Sequence, residues 1–150
     1  MKIIKNIFYL TFPLILGIIS GLITRNSIDY SNLNKPPLSP PGIVFPIVWT
    51  ILYILIGISY YLYKNNTETN IVEEVTYYLQ LFLNFTWTII FFTLKLRFLA
   101  IIWILALSIS IYTLITLFLQ KYKPSAYILI PYLIWCLFAT YLTVGTYLLN

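Results

Sequence analysis

Apolar residues in this chain fall into five long blocks separated by short polar connections. Each block approaches or exceeds the roughly 20 apolar residues that a helix needs to cross the hydrocarbon core of a bilayer. The pattern predicts transmembrane helices over about 5–24, 43–63, 75–94, 98–119 and 125–148. The expected fold is an all-α membrane protein, a five-transmembrane-helix bundle with a long proline-rich loop between helices 1 and 2, forming a single domain over 1–150. The first block follows Lys2 and Lys5 as a secretory signal would, but it is too long for a signal core and lacks a small-residue cleavage site, so it is read as a retained span.

Inside the blocks, certain residues repeat with helical period. Pro13, Gly17 and Gly21 form a small-residue stripe in the first, which suits either packing within the bundle or a homodimer contact. Phe45, Trp49, Tyr53 and Tyr60 place aromatic rings on one face of the second. Gln80, Asn84, Trp87 and Phe91 share a face of the third, and an amide facing lipid would be costly, so this face should look toward protein or a wet cavity. Hydrogen bonding between helices and contact with a ligand are both open for the two amides. In the fourth block Ser110 and Thr113 can return their hydroxyls to the helix backbone, and Trp103 is expected at the membrane interface. In the fifth, Pro131 should kink or open the helix, with Tyr132, Trp135, Ala139 and Leu142 on one face.

The connection from Arg25 to Gly42 is the longest, and Pro36, Pro37, Pro40 and Pro41 make it extended or turning. It can fold back as a lid or serve as a passive interfacial loop. The shorter connection after Lys64 carries Glu68, Glu73 and Glu74, expected as a solvated helix start that complements the helix dipole.

Composition sharpens this picture: 61% of the 150 residues are hydrophobic and 9% are charged, against about 25% charged in soluble domains. The net charge of +5 comes from basic residues scattered at block ends, which excludes a nucleic-acid-binding patch and marks contacts with membrane lipid. With an intracellular N-terminus, Lys2, Lys5, Lys64, Lys121 and Lys123 face Arg25, Lys35, Lys95 and Arg97 across the membrane, a slight lean toward that orientation. The chain has no histidine and one cysteine, Cys136, so neither a histidine-ligated metal nor an intrachain disulfide is expected.

These motifs resemble the translocator protein or tryptophan-rich sensory protein (TspO/MBR) family over essentially the whole chain. The matching blocks are Pro13, Gly17 and Gly21; Tyr30 and Leu33 before Lys35-Pro36; Pro40-Pro41-Gly42 leading through Phe45 to Trp49 and Leu52-Tyr53; Asn84 and Trp87 with Phe91-Phe92; and Pro131-Tyr132, Trp135 and Phe138 to Leu142. The sequence departs from the family where Asp29 and Leu38 replace frequent tryptophans and where Thr143 replaces a usual asparagine. No basic residue follows Tyr141 to complete the family's proposed cholesterol motif, although Leu55, Tyr60 and Lys64 form a loose pattern of that kind.

The resemblance implies a multi-pass protein of the prokaryotic cell membrane that binds protoporphyrin IX or a related tetrapyrrole, with no other cofactor required, and possible light-dependent breakdown of that ligand. Family members also take sterols and isoquinoline-type molecules, and transport of an amphiphile or lipid binding without chemistry are the alternatives. The residues it implicates in ligand binding are Tyr30, Lys35, Pro41, Phe45, Trp49, Tyr53, Asn84, Trp87, Phe91, Tyr132, Trp135 and Ala139, with Trp49 and Trp135 as the redox-active pair. Lys35 or Arg25 could meet a ligand carboxylate.

Overall fold

The computed structural model describes residues 1–27 and 29–150. Five helical stretches are long and apolar enough to cross a membrane. Helix α1 spans Lys2–Thr24, α2 Val44–Asn66, α3 Ile71–Thr88, α4 Arg97–Leu119, α5 Lys123–Ile128 and α6 Ile130–Leu149; α3 continues through a π-helical turn at Ile89–Thr93, and α5 with α6 makes the fifth span.

The element ends follow local chemistry. Helix α2 starts as soon as the proline run ends, with Val44 N–H donating to the Pro41 carbonyl at 3.0 Å, and Pro46 sits in its first turn, where a missing donor costs little. It stops at Thr67, whose backbone N–H and hydroxyl both donate to the Tyr63 carbonyl, at 3.0 and 2.9 Å. Helix α3 begins four positions before the hydropathy boundary because Asn70 and Glu73 form a reciprocal cap, with Glu73 N–H on Asn70 Oδ1 at 3.0 Å and Asn70 N–H on Glu73 Oε2 at 3.1 Å. Glu73 is therefore not solvated as expected: it is buried, and Lys121 reaches it from beyond α4 at 2.8 Å. Glu74 pairs with Lys64 at 2.8 Å.

The fifth span opens as Pro131 demands, but the break falls two residues earlier, at Leu129. A proline removes an N–H donor and crowds the carbonyl four residues back, so Leu129 closes α5 by donating to the Ala126 carbonyl at 3.1 Å, and Pro131 enters the first turn of α6.

Packing contacts form a closed ring in which α1 meets α2, α2 meets α5, the fifth span meets α4, α4 meets α3 and α3 meets α1. One half of the bundle is dense. Tyr60 stacks on Tyr77 at 3.6 Å between centroids and Tyr63 on Phe118 at 3.9 Å. Ser59 and Ser125 exchange hydroxyl-to-carbonyl hydrogen bonds of 2.7 and 2.8 Å, joining α2 to α5. Gly57 lets α1 approach so closely that a Cβ there would strike the Leu10 carbonyl. Ser110 and Thr113 return their hydroxyls to Ala106 and Ile109 as expected. Trp103, expected at the membrane interface, is half-buried and donates its indole N–H to Thr86 Oγ1 at 2.7 Å, tying α4 to α3.

Toward the other end α2 touches the fifth span far less through α6 than through α5. The helices part there, and a cavity forms beneath the loop that joins α1 to α2.

Candidate functional site: an aromatic cavity under the proline loop

The cavity encloses about 360 Å³ and draws its walls from α1, α2, the end of α3 and α6. Its most continuous feature is a band of rings. Tyr30 in the loop meets Phe45 at 5.0 Å, Phe45 meets Trp135 at 5.9 Å, and Trp135 meets Trp49 edge-on at 6.4 Å. Trp49 then stacks on Tyr53 at 5.8 Å and lies 6.4 Å from Trp87, which stacks on Phe91 at 5.3 Å. Helical spacing along α2, α3 and α6 puts these rings on inward faces, and the π-helical turn sets Phe91 and Phe92 on the cavity wall after Trp87 and Thr88.

Polar groups are few and most are spent. Ser20 and Thr24 on α1 return their hydroxyls to Gly17 and Ser20, and Thr143 on α6 does so to Ala139. Two donors remain. The buried indole N–H groups of Trp87 and Trp135 have no hydrogen-bond partner among the described residues. An unpaired buried donor is uncommon and costs free energy, and both nitrogens are covered by protein, so it is the ring faces that the cavity presents.

Beneath the cavity runs a chain of side-chain hydrogen bonds. Tyr53 hydroxyl donates to Asn84 Oδ1 at 2.9 Å, Asn84 Nδ2 donates to the Tyr132 hydroxyl at 2.7 Å, and Tyr132 donates in turn to Gln80 Oε1 at 2.8 Å. The two amides of α3 thus join α2 to α6. Asn84 and Tyr132 belong to this floor and do not line the cavity, whereas Tyr30, Phe45, Trp49, Tyr53, Trp87, Phe91, Trp135 and Ala139 all do.

The loop folds back over the opening. Tyr30 donates to the Pro40 carbonyl at 2.5 Å, and burial raises its phenol pKa above the usual value. Pro36 packs on Gly145 of α6, where a Cβ would collide with its ring. Tyr141 donates to the Pro37 carbonyl at 2.5 Å, and Asn150 Nδ2 donates to the Asn34 carbonyl at 2.9 Å. Lys35 lies outside the cavity, its ammonium donating to the Tyr30 and Leu33 carbonyls at 3.0 and 3.2 Å and standing over the Tyr30 ring. Pro41 is likewise outside, its carbonyl accepting the first hydrogen bond of α2. Arg25 is exposed at the end of α1. Asp29, where the family frequently has tryptophan, is instead an ion-pair partner of Lys95 at 3.5 Å and Arg97 at 3.6 Å.

The small-residue stripe of α1 faces inward. Gly17 abuts the Tyr53 ring, and Gly21 lines the cavity with no atom within 4 Å of where its Cβ would stand. Ser20 and Thr24, which the sequence reading passed over, continue that stripe at helical spacing. Thr143 and Thr146 likewise extend the Trp135 face of α6.

A five-helix membrane bundle with an aromatic cavity bordered by the proline loop at Tyr30 and Gly42 defines the class of protein. The TspO/MBR family model matches residues 9–148. A tryptophan-rich protein TspO from Archaeoglobus fulgidus is 34% identical, covering 100% of this chain and 99% of that protein. The tryptophan-rich sensory protein of Cereibacter sphaeroides is 31% identical over 87% of this chain and 82% of its own, and the human translocator protein is 33% identical over 74% and 68%. The chain belongs to the TspO/MBR family and is an integral, multi-pass membrane protein.

Proposed function

We propose that this protein is a membrane receptor for tetrapyrroles of the protoporphyrin IX type, held in the cavity under the proline loop. The observation that carries the reading is the aromatic band from Tyr30 to Phe91 along the cavity wall. A flat apolar ring gains stacking area on Trp49, Trp87 and Trp135. The cavity volume falls within the range of small-molecule sites. The absence of histidine favours the metal-free macrocycle over tightly ligated haem. The match to an archaeal relative over the whole chain favours a prokaryotic cell membrane.

Chemistry at this site would need no other cofactor. Trp49 and Trp135, 6.4 Å apart, are the side chains able to give an electron to a photoexcited ring, with dioxygen as the oxidant that opens it. The test is a titration of detergent-solubilised protein with protoporphyrin IX, followed by tryptophan quenching and then by Soret absorbance under illumination in air. The expected result is saturable binding, with light-driven bleaching that Trp49→Phe/Trp135→Phe reduces to the rate of free ligand. Binding with bleaching no faster than that of free ligand would leave a receptor without turnover, and bleaching unchanged in the double variant would remove Trp49 and Trp135 from the chemistry. Absence of saturable binding would overturn the tetrapyrrole reading.

A further inference from the structure

A second recess lies at the same end of the bundle but on its outer surface, between the α3–α4 connection and the end of α6. It encloses about 590 Å³ and is formed by Lys95, Arg97, Phe98, Tyr147, Leu148 and Asn150. Two cations face a single acid here, since Lys95 and Arg97 both approach Asp29 and the described residues bring no second carboxylate to them. Neither pair is closer than 3.5 Å, and the Nε and Nη2 atoms of Arg97 are buried without a hydrogen-bond partner among the described residues. Arg97 is held in place by Phe91, over whose ring its guanidinium lies at 5.2 Å. Lys95 has a left-handed backbone, φ 56°, and a half-exposed side chain. The remaining walls are apolar and open to lipid: Phe98 is 59% and Leu148 73% exposed, and Phe98 lies 5.7 Å from the Tyr147 ring.

We propose that this recess is a binding site for the headgroup of an acidic phospholipid. Charge and position both support the assignment. The recess is lined by two basic side chains that share one side-chain carboxylate among the described residues, Lys95 half-exposed and Arg97 making no hydrogen bond shorter than its 3.6 Å approach to Asp29, and it sits where α3, α4 and α6 end. A phosphate oxygen satisfies guanidinium N–H groups better than a carboxylate held beyond hydrogen-bonding distance. The acyl chains would then run along the exposed apolar side chains of α4 and α6. Basic recesses between transmembrane helices at headgroup level recognise anionic lipids on these grounds. Asp29 acts as an internal competitor that keeps the two cations partly neutralised while the site is empty of lipid. Phe91 separates Arg97 from the aromatic cavity, so the recess is distinct from the tetrapyrrole site and does not depend on that assignment.

Native mass spectrometry of the detergent-released protein with phosphatidylglycerol or phosphatidylcholine tests the proposal. Wild type should retain phosphatidylglycerol in preference to phosphatidylcholine. Lys95→Gln and Arg97→Gln should each weaken that retention about fivefold, the effect of one basic residue at an anionic surface. Asp29→Asn should strengthen it, and Lys5→Gln at the opposite end should leave it unchanged. Lys95→Gln keeps the Arg97–Asp29 pair, so it remains informative if Arg97→Gln fails to fold. Equal retention of the two lipids, or a Lys95→Gln protein that behaves as Lys5→Gln does, would overturn the site. Weakened protoporphyrin IX binding in Lys95→Gln with phosphatidylglycerol retention intact would assign the recess to the cavity ligand and likewise overturn it.

Discussion

A methyl group added at Gly17 and one added at Gly21 should have opposite consequences, although the two residues sit one turn apart. At Gly17 the new Cβ would overlap the Tyr53 ring, which is itself fixed by its hydrogen bond to Asn84. Overpacking of this kind costs about 1–3 kcal/mol, so Gly17→Ala should lower the thermal midpoint. At Gly21 the methyl enters open cavity, so Gly21→Ala should leave the midpoint unchanged and weaken tetrapyrrole binding. Paired thermal melts and protoporphyrin IX titrations check both halves; unchanged binding in Gly21→Ala would show that the ligand stays clear of α1. The stripe was visible in the sequence as a period of small residues. Which surface it faced was not, because close approach of helices and the wall of a cavity both select small side chains.

At the scale of helices, Tyr132 links α6 to α3 by accepting from Asn84 and donating to Gln80. Tyr132→Phe keeps the shape and strands both amides, and leaving a buried polar group unpaired costs about 1–3 kcal/mol. The expected outcome is a lower thermal midpoint with unchanged helical content by circular dichroism; an unchanged midpoint would mean that the amides find other partners. The inward face of α3 was legible from the steps joining Gln80, Asn84, Trp87 and Phe91, and so were the five spans, since hydropathy reports burial in lipid directly. The start of α3 was misjudged because charged Glu73 and Glu74 count against a span, although their first-turn position and the Asn70 cap make them part of it. Lys35 was read as a partner for ligand because cations suit carboxylates. The turn after Tyr30 brings two carbonyls within its reach instead. The loop's own partners were least legible of all: Tyr141 and Asn150 lie 104 and 116 positions from Pro37 and Asn34, and no local pattern signals such pairs.

Over the whole molecule the two ends of the bundle do different work. One end is closed by ion pairs, Lys64 with Glu74 and Lys121 with buried Glu73, and by the stacked tyrosines beneath them. The other end carries the cavity, the proline loop and the basic recess. Glu73→Gln keeps the cap with Asn70 but removes the ion pair with half-exposed Lys121, so it should lower stability by about 1 kcal/mol while protoporphyrin IX affinity stays as in wild type. Joint measurement of thermal midpoint and affinity checks this separation, and an equal loss in both would show that the ends are coupled. The π-helical turn at Ile89–Thr93 adds a further consequence. A π turn accommodates one more residue than the α-helical turn it replaces while the chain enters and leaves in nearly the same place. Chain length in this segment is thus a free variable: a one-residue insertion or deletion among natural variants can exchange which rings face the cavity without displacing α4, so relatives can differ in ligand preference through an indel while every wall tryptophan remains the same.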